Sequence, residues 1–178
     1  MNLNVREIQE KDIDLLADYW LKSSDDFLIG MGVDLSKLPK REDLINMFSS
    51  QIKTNIKDKK SYALIWELDS IQIGHSNVNN IIYGKEANMH LHLWKTNTRQ
   101  KGIGTELVKK SLPFYFDKLE IEKLICQPYA LNPAPNKTLK KLGFKFIKKY
   151  RTIPGSLNFE QDVNRWELTK ENYKTLFF

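Results

Sequence analysis

The sequence predicts a single α/β domain spanning residues 1–178, with a mixed central sheet of about seven strands and about four flanking helices. Three observations carry that prediction. A chain of 178 residues can bury one sizeable core and is short for two. Its apolar positions switch between a period of two and a period of three to four, in the order βααβββαβαββ. No internal repeat, low-complexity stretch or linker divides it.

The first strand is read at residues 3–8, where Leu3 and Val5 alternate with Asn4 and Arg6. A helix follows, with Ile13, Leu16, Tyr19 and Trp20 on one face and Asp12 near its start. Residues 23–36, which hold two glycines and three acids, read as a loop. Pro39 and Arg41-Glu42-Asp43 then open a second helix carrying Leu44, Met47, Phe48 and Ile52.

The middle is rich in strands, at 62–68, 71–78 and 88–95, with Asp69-Ser70 making the tight turn between the first two. A helix over 105–116 places Leu107, Val108, Ser111, Leu112 and Tyr115 on one face. Pro113 inside it removes one hydrogen bond and should kink or end it. A strand at 124–128 follows, then a short helix at 135–142 stopped by Gly143. Strands at 144–150 and 164–168 complete the set.

Composition removes several classes. With 41% hydrophobic and 28% charged residues the chain sits near the globular average, so disordered, collagenous and coiled-coil readings fall away. No apolar stretch approaches the roughly 20 residues a membrane helix needs. Arg6, Glu7, Glu10, Lys11 and Asp12 leave no room for a signal-peptide core, and the one cysteine, Cys126, has no intrachain partner; a cytoplasmic protein without membrane contact is expected. Charge is uneven. The first 58 residues hold eight basic and eleven acidic residues, and the remainder hold twenty and eleven. The densest basic run, 137–151, carries seven basic residues and no acid. It reads either as a solvated face or as a site for an anion, a phosphorylated cofactor or nucleic acid.

The segment Arg99-Gln100-Lys101-Gly102-Ile103-Gly104-Thr105 lies between a strand and a helix. Two glycines one residue apart let the backbone turn tightly and approach a ligand, and the following helix offers unpaired N–H groups to an anion. A P-loop would need a second glycine followed by Lys and Ser or Thr, which is missing. A dinucleotide fingerprint would need a third glycine where Leu107 stands, and an acid at the end of the next strand, where Gln127-Pro128 stands.

Arg-x-x-Gly-x-Gly instead resembles the acyl-CoA loop of the GNAT superfamily of N-acetyltransferases. Asn132 to Phe144 (NPAPNKTLKKLGF) is similar to a later segment of that superfamily, and the whole element order looks like its fold. The closest flavour is the branch related to ribosomal-protein N-terminal acetyltransferases.

That resemblance implies acetyl-CoA as cofactor and direct transfer of the acetyl group to a primary amine. It implies a pantetheine arm against the backbone of Leu93, Trp94 and Lys95. Pyrophosphate would then meet Arg99, Gln100, Lys101, Gly102, Ile103, Gly104 and Thr105, with further cofactor contacts at Asn132, Asn136 and Lys137. The later segment departs from the family pattern at Pro135 and Leu139, where a Ser or a Tyr often serves as general acid. Thr138, Tyr129 and Tyr150 are near in sequence, and the general acid stays unassigned.

His90 and His92 alternate with Met89, Leu91 and Leu93, so both imidazoles point to one face beside Trp94. A neutral imidazole suits proton abstraction, and these two are the candidate catalytic residues; the structural alternative is a pair of hydrogen-bonded core histidines. His75 is the weaker candidate. A metal is rejected for want of a third ligand.

Asp25, Asp26, Asp34, Glu42 and Asp43 lie where the fold commonly walls the acceptor, which would favour a cationic small-molecule amine or a protein N-terminus; ordinary surface acids are the plainer reading. Phe27, Met31 and Trp94 could shape the pocket, whereas Trp20, Trp66 and Trp166 read as core, and Cys126 as a buried strand residue. A non-catalytic acyl-CoA-binding module and a ribosome- or RNA-associated protein are the other classes. Nucleic acid is disfavoured once the basic run is shared with coenzyme A, and a homodimer is left open.

Overall fold

The computed structural model describes residues 2–94 and 102–177. Its elements are β1 (Leu3–Glu7), α1 (Ile13–Lys22), α2 (Asp25–Gly30), α3 (Arg41–Lys53), β2 (Ser61–Leu68), β3 (Ile71–Ile82), β4 (Glu86–Leu93), α4 (Ile103–Pro113), β5 (Lys123–Cys126), α5 (Pro133–Lys141), β6 (Lys145–Thr152), β7 (Gln161–Thr169) and α6 (Lys170–Phe177). The seven strands form one sheet in the order β1-β2-β3-β4-β5-β7-β6. Only β4 and β5 run parallel, so the mixed sheet expected from the sequence is present.

Two helices were not expected. Asp25–Gly30 lies in a glycine-containing, acid-rich stretch with the composition of a loop, and its helix is barely two turns long. Lys170–Phe177 continues directly from β7, where its apolar face is legible only once Tyr173 is seen stacked on Phe116 at 4.5 Å. The expected turn at Asp69-Ser70 is present, with both residues at positive φ (49° and 65°), the mirror-type geometry that suits a two-residue hairpin. Gly143 stops α5 at φ 79°. After Pro113 the chain widens into a π turn, Phe114–Lys118, because the proline ring supplies no N–H to continue the α ladder.

The sheet has two buried faces. On one, Tyr62, Leu64, Trp66, Val78 and Met89 pack with Leu107, Leu112 and Tyr115 around α4. Several of its polar atoms pair within it. The Trp66 indole donates to Ser111 Oγ at 2.9 Å, Ser111 donates to the Leu107 carbonyl, and Ser76 Oγ meets the Tyr115 hydroxyl at 2.6 Å. On the other face a smaller core joins Ile13, Leu16, Ala17, Leu44 and Phe48 of α1 and α3 to Ala63 and Ile65. Trp66 and Trp166 are buried as the sequence suggests, whereas Trp20 is only partly so, because it stands at the rim of this smaller core.

The entry to α1 is fixed by charge. Asp12 is fully buried and takes both Arg6 Nη atoms, at 2.7 and 2.8 Å, together with the Gln9 amide. Arg6 Nε reaches Glu67 on β2 at 2.8 Å. Asp12→Ala leaves the Arg6 charge half-buried with one partner lost, and should cost about 3–5 kcal/mol. The expected readout is a fall in Tm on the order of 10 °C; an unchanged Tm would show that the network carries no net stability.

Candidate active site

On β4, alternate residues face opposite sides of the sheet, so Met89 enters the larger core while His90 and His92 face α1 and α3. The antiparallel register with β3 sets His92 opposite His75 and His90 opposite Asn77. Four polar side chains from two strands therefore share one patch. Gly74 permits the register: a Cβ there would meet the His92 carbonyl oxygen at 2.5 Å.

The patch floors a cleft of about 690 Å³. Its walls are Trp20, Asp43, Leu44 and Met47 from the helices, Pro154 to Asn158 from the β6–β7 loop, and Tyr129, Asn132 and Pro135 at the start of α5. That loop is tied to the segment before α3. The Gly32 carbonyl accepts from Asn158 Nδ2 and Gln161 Nε2 (both 2.8 Å) and from the Phe159 amide, while the Asp34 amide donates to Leu157. Gly32 sits at φ 87°, and a Cβ on it would lie 2.2 Å from Gln161 Oε1.

At the floor the His75 and His92 rings stack, 4.4 Å apart and 14° from parallel. The Trp94 indole donates to His75 Nδ1 at 2.8 Å, and Tyr19 Oη meets His92 Nδ1 at 3.0 Å. His90 Nε2 lies 3.2 Å from Asn79 Oδ1. Burial pushes His75 down to about 3, with His90 adding to the effect, and pushes His90 down to about 4. Burial beside both neighbours holds His92 well below the ordinary imidazole value. All three rings are neutral near pH 7.

Beyond Met89 opposite Cys126, β4 and β5 no longer pair, although β4 runs on to Leu93. A gap opens there in an otherwise continuous sheet. Gly102, at φ 73°, leads into α4 without a side-chain cap hydrogen bond, and among the described residues no heavy atom beyond the local backbone lies within 4 Å of the place a Cβ would take on Gly102 or Gly104. Ile103 between them is buried and anchors the turn. Among the described residues, the α4 N-terminus thus offers open backbone, and β4 beyond Met89 offers an unpaired strand edge.

A family model described as the acetyltransferase (GNAT) domain matches residues 2–145. The chain belongs to the GNAT acetyltransferase family. It is therefore an acetyl-CoA-dependent N-acetyltransferase. No curated protein matches the chain significantly. Among solved structures it is similar to spermidine N-acetyltransferase from Vibrio cholerae in complex with CoA and spermine, with 16% identity, 97% of this chain and 98% of that one covered, and a TM-score of 0.78. A ribosomal-protein alpha-N-acetyltransferase in complex with coenzyme A gives 15% identity, coverage of 97% and 96%, and 0.77. An aminoglycoside acetyltransferase in complex with coenzyme A gives 15%, 98% of both chains and 0.75. At these identities the likeness establishes the fold.

These two features of this GNAT chain fit a long, anionic cofactor, since they offer strand edge and helix N-terminus without side-chain obstruction. Of the residues expected to meet it, Gly102, Ile103, Gly104 and Thr105 form the first turn of α4, and Asn132 stands at the N-cap of α5, in the cleft wall. Lys95, Arg99, Gln100 and Lys101 lie outside the described residues. Leu93 ends β4 opposite Gly74. The Trp94 amide donates to the Ile73 carbonyl at 2.8 Å, which turns it toward β3 and away from β5. Asn136 is spent on structure: its Nδ2 donates to the Tyr129 and Asn132 carbonyls, and its Oδ1 accepts from Asn164 and Trp166. Lys137 is exposed on α5.

Other expectations are redistributed. Of the acids named from sequence only Asp43 lines the cleft; Asp34 caps a turn by accepting from Ser36, while Asp25, Asp26 and Glu42 point to solvent. Met31 reaches the cleft, and Phe27 packs edge-on to Tyr19. Trp94 sits behind the histidines, stacked with Tyr19. Cys126 donates to the Met89 carbonyl at 3.0 Å and burial pushes its thiol up to about 12, so it is no nucleophile. The Tyr150 hydroxyl accepts from Gln127, and Tyr129 packs edge-on to Phe159. In the basic run Lys149 pairs with Asp162, and Arg151 with Glu160, so the charge of β6 is partly cancelled by its neighbours.

Sequence reasoning undervalued His75 and did not name Tyr19, Asn77, Asn79 or the β6–β7 loop as site residues. The alternation His75, Asn77, Asn79 within one strand was the available signal, and Pro154-Gly155-Ser156 marked a turn whose destination only the fold reveals.

Three depressed imidazoles make stability depend on pH with a definite sign. The unfolded chain binds protons near pH 6.5 that the folded chain refuses until about pH 4 or below. Stability should therefore fall as pH drops through that window, by up to about 1.4 kcal/mol per pH unit for each ring. Urea unfolding between pH 7.5 and 4.5 checks this, and His90→Asn should make the slope shallower; a flat profile would show that the rings are solvated.

Proposed function

We propose that this cleft transfers an acetyl group to a primary amine, with His90 and His92 accepting the amine proton. The observation that carries the reading is the placement of both imidazoles, neutral and on one face, in a cleft whose floor strand β4 stops pairing with β5 after Met89. Acetyl-CoA, when bound, supplies the activated acyl group and a thiolate leaving group. Leu93 and its neighbours would line its pantetheine arm. Gly102 to Thr105, with Arg99, Gln100 and Lys101, would meet the pyrophosphate, while Asn132 and Lys137 would stand near the arm and the phosphates.

A depressed imidazole is a weak base, yet it arrives at the amine already unprotonated at pH 7. Its proton is then returned readily to solvent through the cleft. His90, with Nε2 facing Asn79 Oδ1, keeps Nδ1 as its accepting atom.

The acceptor we favour is a protein or peptide N-terminus. Charges on the wall are Lys37, Asp43 and Lys60, a poor match to a polycation. Asn77, Asn79 and Asn158 offer amide groups suited to peptide backbone. Of the similar structures, one acts on spermidine, one on aminoglycosides and one on a ribosomal-protein N-terminus. This cleft's side chains suit the last kind of acceptor.

Saturating acetyl-CoA, at a hundredfold excess over Kd, should add about 2.7 kcal/mol, raising Tm by about 5–10 °C. Gly104→Glu should abolish that shift by placing a carboxylate at the start of α4. In a thiol-release assay, peptide N-termini should outperform spermidine. His90→Ala and His92→Ala should each lower kcat by about 10²- to 10³-fold while keeping the acetyl-CoA shift. Full activity in both variants would remove the histidines from the mechanism, and equal turnover of polyamine and peptide would remove the acceptor assignment.

A further inference from the structure

The three imidazoles of the cleft floor are held by partners of different chemistry. An indole N–H can only donate. Because Trp94 Nε1 lies 2.8 Å from His75 Nδ1, that nitrogen must carry a lone pair, and the neutral ring has its proton on Nε2. Adding a proton at Nδ1 would break this bond and leave the indole N–H facing another donor, in a residue only 2% exposed.

Tyr19 differs, since a hydroxyl both donates and accepts. It meets His92 Nδ1 at 3.0 Å and has Met31 Sδ at 3.3 Å as a second partner for its proton. It can therefore donate to a bare Nδ1 or accept from a protonated one. Two stacked rings 4.4 Å apart will not hold two charges, so a proton entering the pair goes where its partner can adapt.

We infer that Trp94 and His75 are a positioning pair: the donor-only indole locks His75 as its neutral Nε2–H tautomer, and His75, stacked flat on His92, holds that ring at the cleft as the member of the pair that takes the proton. This rests on the reading of His90 and His92 as proton acceptors. The titratable groups facing His75 are Tyr19 from α1 and His90 and His92 from β4; Ile65 opposes it on β2. Trp94 and Tyr19 are themselves stacked, so one aromatic layer carries both hydrogen bonds.

Long-range proton–nitrogen correlation spectra of ¹⁵N-labelled protein read the tautomers directly, with His75→Gln used for assignment. The wild type should show His75 as a single neutral Nε2–H form from pH 7.5 to 5. Trp94→Phe should turn it into a tautomer mixture and lower kcat about tenfold, with KM for acetyl-CoA unchanged. His75→Gln keeps an acceptor for the indole without a titrating ring, and should retain kcat within about threefold; His75→Leu should lose about tenfold. An Nδ1–H form of His75 in the wild type would overturn the inference. So would a His75→Gln variant as inactive as His92→Ala, or a Trp94→Phe variant with altered tautomer and unaltered kcat. The wild-type spectrum needs no acceptor to be known, and calls on His75→Gln only to assign its signals. Its outcome is thus separable from that of the proposed function, which fails if no amine is turned over.

Discussion

Strand β4 is paired along both edges only as far as Met89. Its β3 edge stays bonded to Leu93, while its β5 edge is given up four residues earlier, and the two halves of the site follow from that asymmetry. The retained edge fixes the register that sets His92 against His75 and His90 against Asn77. The abandoned edge leaves β4 unpaired toward β5 beyond Met89. A strand that parted from both neighbours could not hold its histidines in place, and one paired on both sides would leave nowhere for a cofactor arm. Gly74 belongs to this constraint, because the retained edge demands backbone contact with His92 that no side chain would allow.

Helix α1 links the ionic and neutral parts of the protein. At its start, Arg6 and Asp12 bury a carboxylate with a bidentate cation, where geometry satisfies both charges. At its end, Tyr19 and Trp20 meet the imidazoles, where no countercharge is offered and burial keeps the rings neutral. The same helix thus depends on charge at its entry and packs against neutral rings at its end. Moving α1 by a fraction of a turn would take Tyr19 from His92 without disturbing the sheet.

Most of the fold was readable because strands and helices here are strongly periodic. The two helices that escaped, Asp25–Gly30 and Lys170–Phe177, are short and draw their stability from tertiary contact. At the site, the glycine turn and the His-x-His alternation were visible as local patterns. His75 was not, since its importance comes from lying opposite His92 across a hairpin, and register is not written in either strand alone. Asn136 is the converse case. It was expected as a further cofactor contact from its place on the helix after Asn132, and the fold engages its whole amide with Tyr129, Asn132, Asn164 and Trp166.

The lock around Gly32 decides what kind of cleft this is. Three donors converge on one carbonyl, and a fourth bond joins Asp34 to Leu157, so the β6–β7 loop and the segment before α3 form one continuous wall. That wall is held mainly by backbone and amide groups, with the exposed Lys37 ammonium adding one bond to the Asn158 carbonyl at 2.7 Å, so salt should loosen it only a little. A fixed wall supplies selectivity through shape and amide recognition, which suits an acceptor presenting one amine at the end of a neutral chain. Under the proposed reading it fits a flexible polycation less well, since Asp43 is the one acid among the described residues that line the cleft. The neutral histidines beneath complete the same logic, because a floor without fixed charge neither repels an incoming ammonium nor traps it. In the proposed reaction the amine would lose its proton there, and the product amide, uncharged, would keep only the amide contacts of the wall.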